Sequence, residues 1–385
     1  MDYLLTEEQR ELQKLTRDIA LNTVAPKAEY YDRHEEFPWD VVEVFAQADL
    51  FRVFVPEEYD GLGMGVFELC IVAEELSRAC GGIALALLGT ALGTEPILIA
   101  GTDEQKKRFL PRVAAGKALA AFALTEAEAG SDPSAVRTRA RRDGDHYVLN
   151  GTKQWITNGG EAEINVVIAS TAPARGARGL SAFVVEKGTP GLDFGKKEDK
   201  LGIRASATRE LIFDDCKVPA ANLLGKEGTG FITAMRTFDR TRPGVAAQAV
   251  GIAQGALELA VAYAKERRQF GQPISSFQGL QFMLADMATK TEVARAMTYA
   301  VARMIDAGAR DVSRNSSICK TFASDVAVEV TADALQIFGG YGYMREYPIE
   351  KYFRDAKITQ LYEGTNQIQR QVIALDLIRT AGRKS

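Results

Sequence analysis

Near the end of the chain, Tyr362-Glu363-Gly364-Thr365 places a carboxylate beside a glycine, just before a polar stretch that opens an apolar, helix-like run. A base held between a flexible backbone point and a helix start can pull a proton off a carbon acid. An unperturbed glutamate, with a pKa of about 4.3, is a feeble base for that task. Burial raises it, and a helix start opposes this by only about 0.3 to 1 kcal/mol, so desolvation is expected to win once substrate displaces water. Glutamate before glycine is equally what a solvated helix end looks like, so other residues must decide.

A second candidate is Phe122-Ala123-Leu124-Thr125-Glu126 followed by Ala129-Gly130-Ser131-Asp132, an extended run that breaks into a turn of small polar residues. Free N–H groups and hydroxyls in such a loop suit a ring's polar edge or a phosphate. Trp155-Ile156-Thr157 lies one predicted hairpin away, so an indole and a hydroxyl could face the same cavity, although a strand tryptophan is more often core.

Other chemistries find little support. Cys70, Cys80, Cys216 and Cys319 are scattered without metal-type spacing, and His34 and His146 are the only histidines. The expectation is no metal, no disulfide framework and four buried free thiols. Neither histidine has a serine or cysteine in a nucleophile setting, so triad chemistry is not expected. A net charge of -4 gives no electrostatic reason to expect nucleic acid or an anionic membrane as partner. Apolar runs such as Ile83 to Leu88 are too short to cross a bilayer.

Positioning these residues requires more than one unit, because 385 residues is long for a single core. Residues 1–119 read as a helical domain, with helical spacing through Leu12, Leu15, Ile19 and through Val41, Val44, Phe45, Ala48, broken at Pro56 and Gly61-Leu62-Gly63. The chain opens on a capping-box-like Thr6-x-x-Gln9 with no presequence, which favours the cytoplasm or, if a presequence has been removed, the mitochondrial matrix. Residues 120–227 read as a small antiparallel β sheet or barrel, with hairpin turns expected at Gly144-Asp145, Asn150-Gly151 and Asn158-Gly159. Strands are expected at Ser181 to Glu186 and at Glu210 to Phe213, the latter ending at Asp214-Asp215. Residues 228–385 read as a helical bundle, with Val250, Ala253, Leu257 and Val261 on one face, Met283, Met287 and Val293 on the next, and a frayed basic tail at Gly382-Arg383-Lys384.

Seven segments together resemble the flavin-dependent acyl-CoA dehydrogenases. They are Pro56-Glu57-Glu58-Tyr59, the Thr125 to Asp132 loop, Trp155-Ile156-Thr157-Asn158-Gly159, Arg240-Thr241-Arg242-Pro243, Glu266-Arg267-Arg268-Gln269-Phe270-Gly271, Gln336-Ile337-Phe338-Gly339-Gly340 and Tyr362-Glu363-Gly364-Thr365. The likeness runs in order from the first helix to about Ile378. One departure is visible: Ala127 follows Glu126 where the family usually has proline, which removes a fixed φ.

The resemblance implies a mainly α fold with a central β domain and a C-terminal four-helix bundle. It further implies FAD, an acyl-CoA substrate, an electron-transferring flavoprotein as acceptor and a homo-oligomer, a tetramer by analogy. By position Glu363 is the family's base; some relatives carry it where Thr241 stands, and threonine cannot serve. The thioester oxygen would be held by the Glu363 backbone N–H and a flavin ribityl hydroxyl. Similarity assigns Phe122, Leu124, Thr125, Gly130 and Ser131 to the flavin edge or pyrophosphate and Trp155 and Thr157 to the ring. Arg267, Phe270, Gln278, Gln336, Gly339 and Gly340 match the family's adenosine-diphosphate clamp, contributed across a subunit interface. Thr365 and Gln367 complete the cofactor set. Asp239 and Arg242 match coenzyme A contacts, while Ser131, Tyr362 and Gly364 belong with the substrate. The acyl tail is expected near Leu85, Leu88, Thr90, Ala91 and Leu92, which suits a short or medium hydrocarbon. Two rivals are an acyl-CoA oxidase of the same fold and a flavin-retaining relative that associates with nucleic acid.

Overall fold

The computed structural model describes residues 3–381; the expected tail at 382–384 and the first two residues lie outside them. Helix α1 (Glu7–Ile19) opens on the expected capping box, with Thr6 Oγ1 accepting the Gln9 N–H at 3.2 Å and Gln9 Oε1 accepting that of Thr6 at 3.0 Å. Leu12 and Ile19 face the core, whereas Leu15 is exposed. A π-turn over Ala20–Val24 leads into α2 (Ala25–His34), where Pro26 lacks the N–H of a regular turn.

Helices α3 (Trp39–Gln47), α4 (Val66–Ala79), α5 (Gly81–Ala100) and α6 (Asp103–Ala114) complete the first helical region. Helix α5 is apolar all round and therefore interior. It packs directly on the sheet: a Cβ at Gly93 would stand 2.5 Å from the Ala121 nitrogen, so only glycine allows this approach.

Eight strands form the middle sheet: β1 (Ala120–Ala123), β2 (Arg139–Asp143), β3 (His146–Thr157), β4 (Ile164–Ser170), β5 (Leu180–Glu186), β6 (Leu192–Phe194), β7 (Thr208–Pro219) and β8 (Leu223–Leu224). Their order is β6-β7-β3-β2-β4-β5-β8, with β1 on β4. The sheet is not wholly antiparallel as expected. Strand β1 runs parallel to β4 because the chain crosses a long loop and the β2-β3 hairpin before returning alongside it.

Of the three expected hairpin turns, Gly144-Asp145 joins β2 to β3 as read. Asn150-Gly151 instead lies inside β3, at a register shift against β7. Asn150 exchanges two hydrogen bonds with Asp215, at 3.1 and 2.9 Å, and a Cβ at Gly151 would stand 2.7 Å from Thr138 Cα. The pair thus marks a bulge and a close crossing, which sequence alone presents as a turn. The same bulge carries β7 past Asp214-Asp215 to Pro219. Asn158-Gly159 is a turn, but it connects strands that are not neighbours.

Helix α7 (Gly230–Glu266) opens the last region. A short ribbon of β9 (Arg268–Gln269) and β10 (Gln272–Pro273) follows, then α8 (Gln278–Asp306), α9 (Ser313–Phe338), α10 (Ile349–Ile358) and α11 (Asn366–Thr380). Val250, Ala253, Leu257 and Met287 are buried as expected, but Val261 and Val293 are exposed. Each lies next in sequence to a buried residue, Ala260 and Ala294, and so about 100° around the helix from the covered stripe. Helices α5 and α7 are long and apolar enough to cross a membrane, contrary to the expectation from short runs. About two thirds of each apolar window is buried inside the fold, so both read as core helices.

Candidate active site

Glu363 lies in the link between α10 and α11, with Thr365 capping the latter by accepting the Ile368 N–H at 3.4 Å. Glu363 (φ 51°) and Gly364 (φ 92°) are consecutive left-handed residues. For glutamate that conformation costs on the order of 1 to 3 kcal/mol and persists only where surrounding contacts hold it. Gln369 Nε2 donates to the carbonyls of Glu363 and Gly364 at 3.0 and 2.9 Å, and Arg242 Nε reaches the Glu363 carbonyl at 3.4 Å. The φ of 92° at Gly364 would strain any side chain, and a Cβ there would stand 2.6 Å from Gln369 Nε2 and displace its bonds to the loop.

The Glu363 carboxylate accepts a hydrogen bond from Thr241 Oγ1, on α7, at 2.7 Å. Burial pushes its pKa up, while the Thr241 bond and the charges of Arg242 and Lys320 oppose the rise; burial wins. A raised pKa makes a better proton acceptor near neutrality. The Tyr362 hydroxyl bonds Gln248, which itself donates to Gly81 O at 3.0 Å, so the loop is tied to α7 and α5.

Glu363 and Tyr362 close one wall of a cavity with about 940 Å³ of empty space, its open mouth included. Helix α5 supplies Leu85, Leu88, Gly89, Ala91 and Leu92, and α4 adds Leu69. Thr90, expected here, is fully buried elsewhere: its hydroxyl donates to Ala86 O at 2.8 Å and accepts from Asn158. Gly89 and Leu69 were missed, because neither carries a polar signal. Phe122, Leu124 and Thr125 form a further wall, with the Phe122 ring edge-on to Phe238 at 5.7 Å.

Trp155, Ile156 and Thr157 also line the cavity. Trp155 is 59% exposed rather than core, because a register shift in β3 between Lys153 and Ile156 and a φ of 56° turn it out of the sheet. An exposed indole beside the hydroxyls of Thr125 and Thr157, over an apolar cavity, fits the flat, polar-edged ring that the resemblance implies. The Thr125 loop is anchored through Glu126, whose carboxylate accepts from the N–H groups of Arg137 and Thr138 at 2.6 and 2.9 Å and from Lys153 Nζ at 2.8 Å. Burial lowers Lys153 to about 8 even with that partner. Ala127 does not disturb this loop, since Glu126 and Ala129 close the turn through two backbone bonds of 3.2 and 3.0 Å. Gly130 and Ser131 are exposed on it and do not line the cavity.

Arg267, Phe270, Gln278, Gln336, Gly339 and Gly340 also lie outside the cavity lining. Arg267 and Phe270 belong to the link between α7 and α8, Gln278 opens α8, Gln336 lies in the last turn of α9, and Gly339 and Gly340 follow it. The Arg267 guanidinium lies 5.2 Å from the Tyr341 ring centroid, and Phe270 is 92% exposed. A Cβ at Gly339 or Gly340 would meet nothing within 4 Å, so that backbone is open to approach. Gln367 is exposed on the first turn of α11. Arg242, matched with Asp239 to coenzyme A in the sequence, is buried under the Glu363 loop, contacting Asp239 at 3.3 Å and Ser317 at 3.4 Å. Lys320, Asn366, Gln369 and Gln248 were missed; their only signal was a polar residue at a helix position that turns out to be buried.

Family models for the acyl-CoA dehydrogenase N-terminal, middle and C-terminal domains match residues 6–117, 121–216 and 228–378. An acyl-CoA dehydrogenase of Bacillus subtilis is 48% identical over 375 residues, covering 97% of this chain and 99% of its own. Butyryl-CoA dehydrogenase from Megasphaera elsdenii superposes with a TM-score of 0.96 at 44% identity, over 98% of this chain and all of that one. A chain from a structure described as the electron transferring flavoprotein of Acidaminococcus fermentans has the same TM-score at 49% identity and the same coverage. With a carboxylate lining an apolar cavity and three domain models matched in order along the chain, the chain belongs to the acyl-CoA dehydrogenase family.

Proposed function

We propose that Glu363 takes the α proton of a short saturated acyl-CoA while the β hydrogen leaves as hydride, yielding the 2-enoyl-CoA. Acyl-CoA dehydrogenation with FAD is the activity of the family, and the chain is an enzyme of this type. When bound, FAD supplies the two-electron acceptor for the hydride.

The observation that carries the assignment is Glu363 itself: a carboxylate with a raised pKa, facing an apolar cavity. Thr241 and the loop's donors fix its direction, so the base meets the α carbon without searching rotamers. The Glu363 backbone N–H makes no hydrogen bond among the described residues and is the group that would receive the thioester oxygen as enolate charge develops. Trp155, Thr157, Thr125, Leu124 and Phe122 would hold the isoalloxazine, with Gly130, Ser131, Thr365 and Gln367 at its periphery. Leucines of α5 exclude water from the acyl group.

A short acyl group is favoured by the likeness to a butyryl-CoA dehydrogenase, with Leu85, Leu88 and Leu92 giving the cavity wall an apolar face for it. Arg267, Phe270, Gln278, Gln336, Gly339 and Gly340, standing apart from the cavity with Phe270 in solvent, would serve the cofactor of a second subunit in a homotetramer. An electron-transferring flavoprotein as acceptor is supported by the likeness to the Acidaminococcus fermentans chain.

The test is anaerobic mixing of purified enzyme with saturated acyl-CoAs of differing length and shape, following flavin absorbance. Bleaching by short straight-chain members, with slow reoxidation in air and fast reoxidation by the flavoprotein, is expected. Failure of every acyl-CoA to bleach the flavin would remove the assignment, and rapid reoxidation by air would make the enzyme an oxidase.

A further inference from the structure

Behind Glu363 lies a charged group that the proton transfer above does not use. Lys320, in the middle of α9, has no exposed surface. Its Nζ donates to the Gly364 carbonyl at 2.9 Å and to Asn366 Oδ1 at 3.0 Å. Neither partner is a carboxylate. Asn366 is fixed in turn, donating to Ser324 Oγ at 2.9 Å and to Asp325 Oδ1 at 2.7 Å.

A buried ammonium ion is costly unless its donors are used and its charge is answered. Here the hydrogen bonds go to neutral oxygens, so the charge acts on carboxylates farther off, in surroundings that screen weakly. The residue whose carbonyl it grips directly follows Glu363. Resting on the assignment of Glu363 as base, we propose that Lys320 is a positioning residue for proton abstraction: it clamps the Gly364 carbonyl, so holding the left-handed Glu363-Gly364 pair, and its charge favours the carboxylate form of Glu363.

The charged groups around it are few. Glu363 faces it from the loop, Arg242 from α7 with Asp239 behind, and Asp325 from α9, engaged by Arg370 of α11 at 2.6 Å. Burial brings Lys320 down to about 7, Arg242 pushes the same way, and Glu363 and Asp325 oppose. Lys320 in turn lowers Glu363, one of the pulls that moderate its rise on burial. The two groups are therefore linked, and each should report the charge of the other.

The experiment uses the FAD-loaded enzyme and 3,3-dimethylbutyryl-CoA, which has α hydrogens but none on its β carbon. Exchange of those α hydrogens with deuterium oxide reads proton abstraction alone. Lys320→Met should slow exchange about 10- to 100-fold and move its acid limb up by about one pH unit, while Lys320→Arg, which keeps the charge, should hold the limb near that of the parent. A merely structural lysine would cost rate without moving the limb, so an unmoved limb in Lys320→Met overturns the proposal whatever the rate.

Should Lys320→Met not fold, the linkage is read from the other side. In enzyme carrying 13Cε-lysine, the Lys320 signal, identified by its absence from Lys320→Arg, should titrate near 7 and shift about one unit lower in Glu363→Gln, since the neutral amide no longer stabilises the ammonium. An unchanged titration overturns the proposal. The assignment of the base fails separately, if Glu363→Gln still exchanges the α hydrogens.

Discussion

Thr241 Oγ1 donates to Glu363 Oε2 at 2.7 Å, so a hydroxyl on α7 holds a carboxylate 122 residues farther along the chain. The bond favours the charged form and so moderates the rise that burial imposes. Thr241→Val keeps the shape and removes the donor. The acid limb of kcat/KM should move to higher pH by up to about one unit, with the plateau within roughly threefold of the parent. A pH-rate profile superimposable on the parent's would show that the bond does not tune the base.

Glu363→Gln should retain FAD and lose at least three orders of magnitude in turnover, roughly, because the amide cannot accept a proton. Stability gives an independent reading. The folded state holds the Glu363 proton to higher pH than the unfolded chain does, so its contribution is fully present below the ordinary carboxylate pKa and is lost as pH rises through the raised folded value. Glu363→Gln escapes that loss. It should unfold at higher denaturant than the parent at pH 8, by on the order of 1 kcal/mol, with the difference shrinking toward pH 4. Equal stability of the two at pH 8 would mean that the carboxylate carries no burial cost.

What the sequence disclosed and what it hid divide along a physical line. Glu363, Trp155 and Thr157 were legible because a rare residue order carried them, and periodicity gave the helix, sheet, helix order. Asn150-Gly151 was misread because asparagine and glycine serve a bulge as well as a turn, and only the Asp215 and Thr138 contacts decide between them. Thr90 was misplaced for the same kind of reason: composition puts it in α5, but which face meets the cavity depends on how α5 packs on β1. Lys320 and Gln369 were invisible because they grip backbone carbonyls, which no residue type announces, and Asn366 because its partners Lys320, Ser324 and Asp325 lie more than 40 residues away in sequence.

Lys153 and Glu126 form a pair at 2.8 Å beneath the Thr125 loop, and Lys153 has no exposed surface. Lys153→Met leaves the Glu126 carboxylate enclosed with its cation gone. The expected cost is about 3 to 5 kcal/mol in unfolding free energy, together with weaker FAD retention as the loop loses its anchor. Glu126 is held below the ordinary carboxylate range, so its contribution is present above that range and lost as pH falls through the depressed value. The destabilisation by Lys153→Met should therefore be larger at pH 7 than at pH 3, by chemical denaturation. A cost below about 1 kcal/mol at pH 7 would show the pair to be dispensable.

Leu88 lines the cavity from α5 and is only partly buried, so shortening it costs less than a core truncation and acts mainly on the space offered to the acyl group. Leu88→Ala removes three carbons from the wall. A substrate two or three methylenes longer can then fill the space, each worth about 0.8 kcal/mol when withdrawn from water. The ratio of kcat/KM for hexanoyl-CoA to that for butyryl-CoA should rise about tenfold, chiefly through KM, because apolar wall contacts are made equally in the ground and transition states. The opposite change, Ala91→Leu, narrows the same cavity and should lower the ratio. If both variants left the chain-length profile unmoved, the acyl group would have to lie along a different wall, and the leucines of α5 would be no more than core.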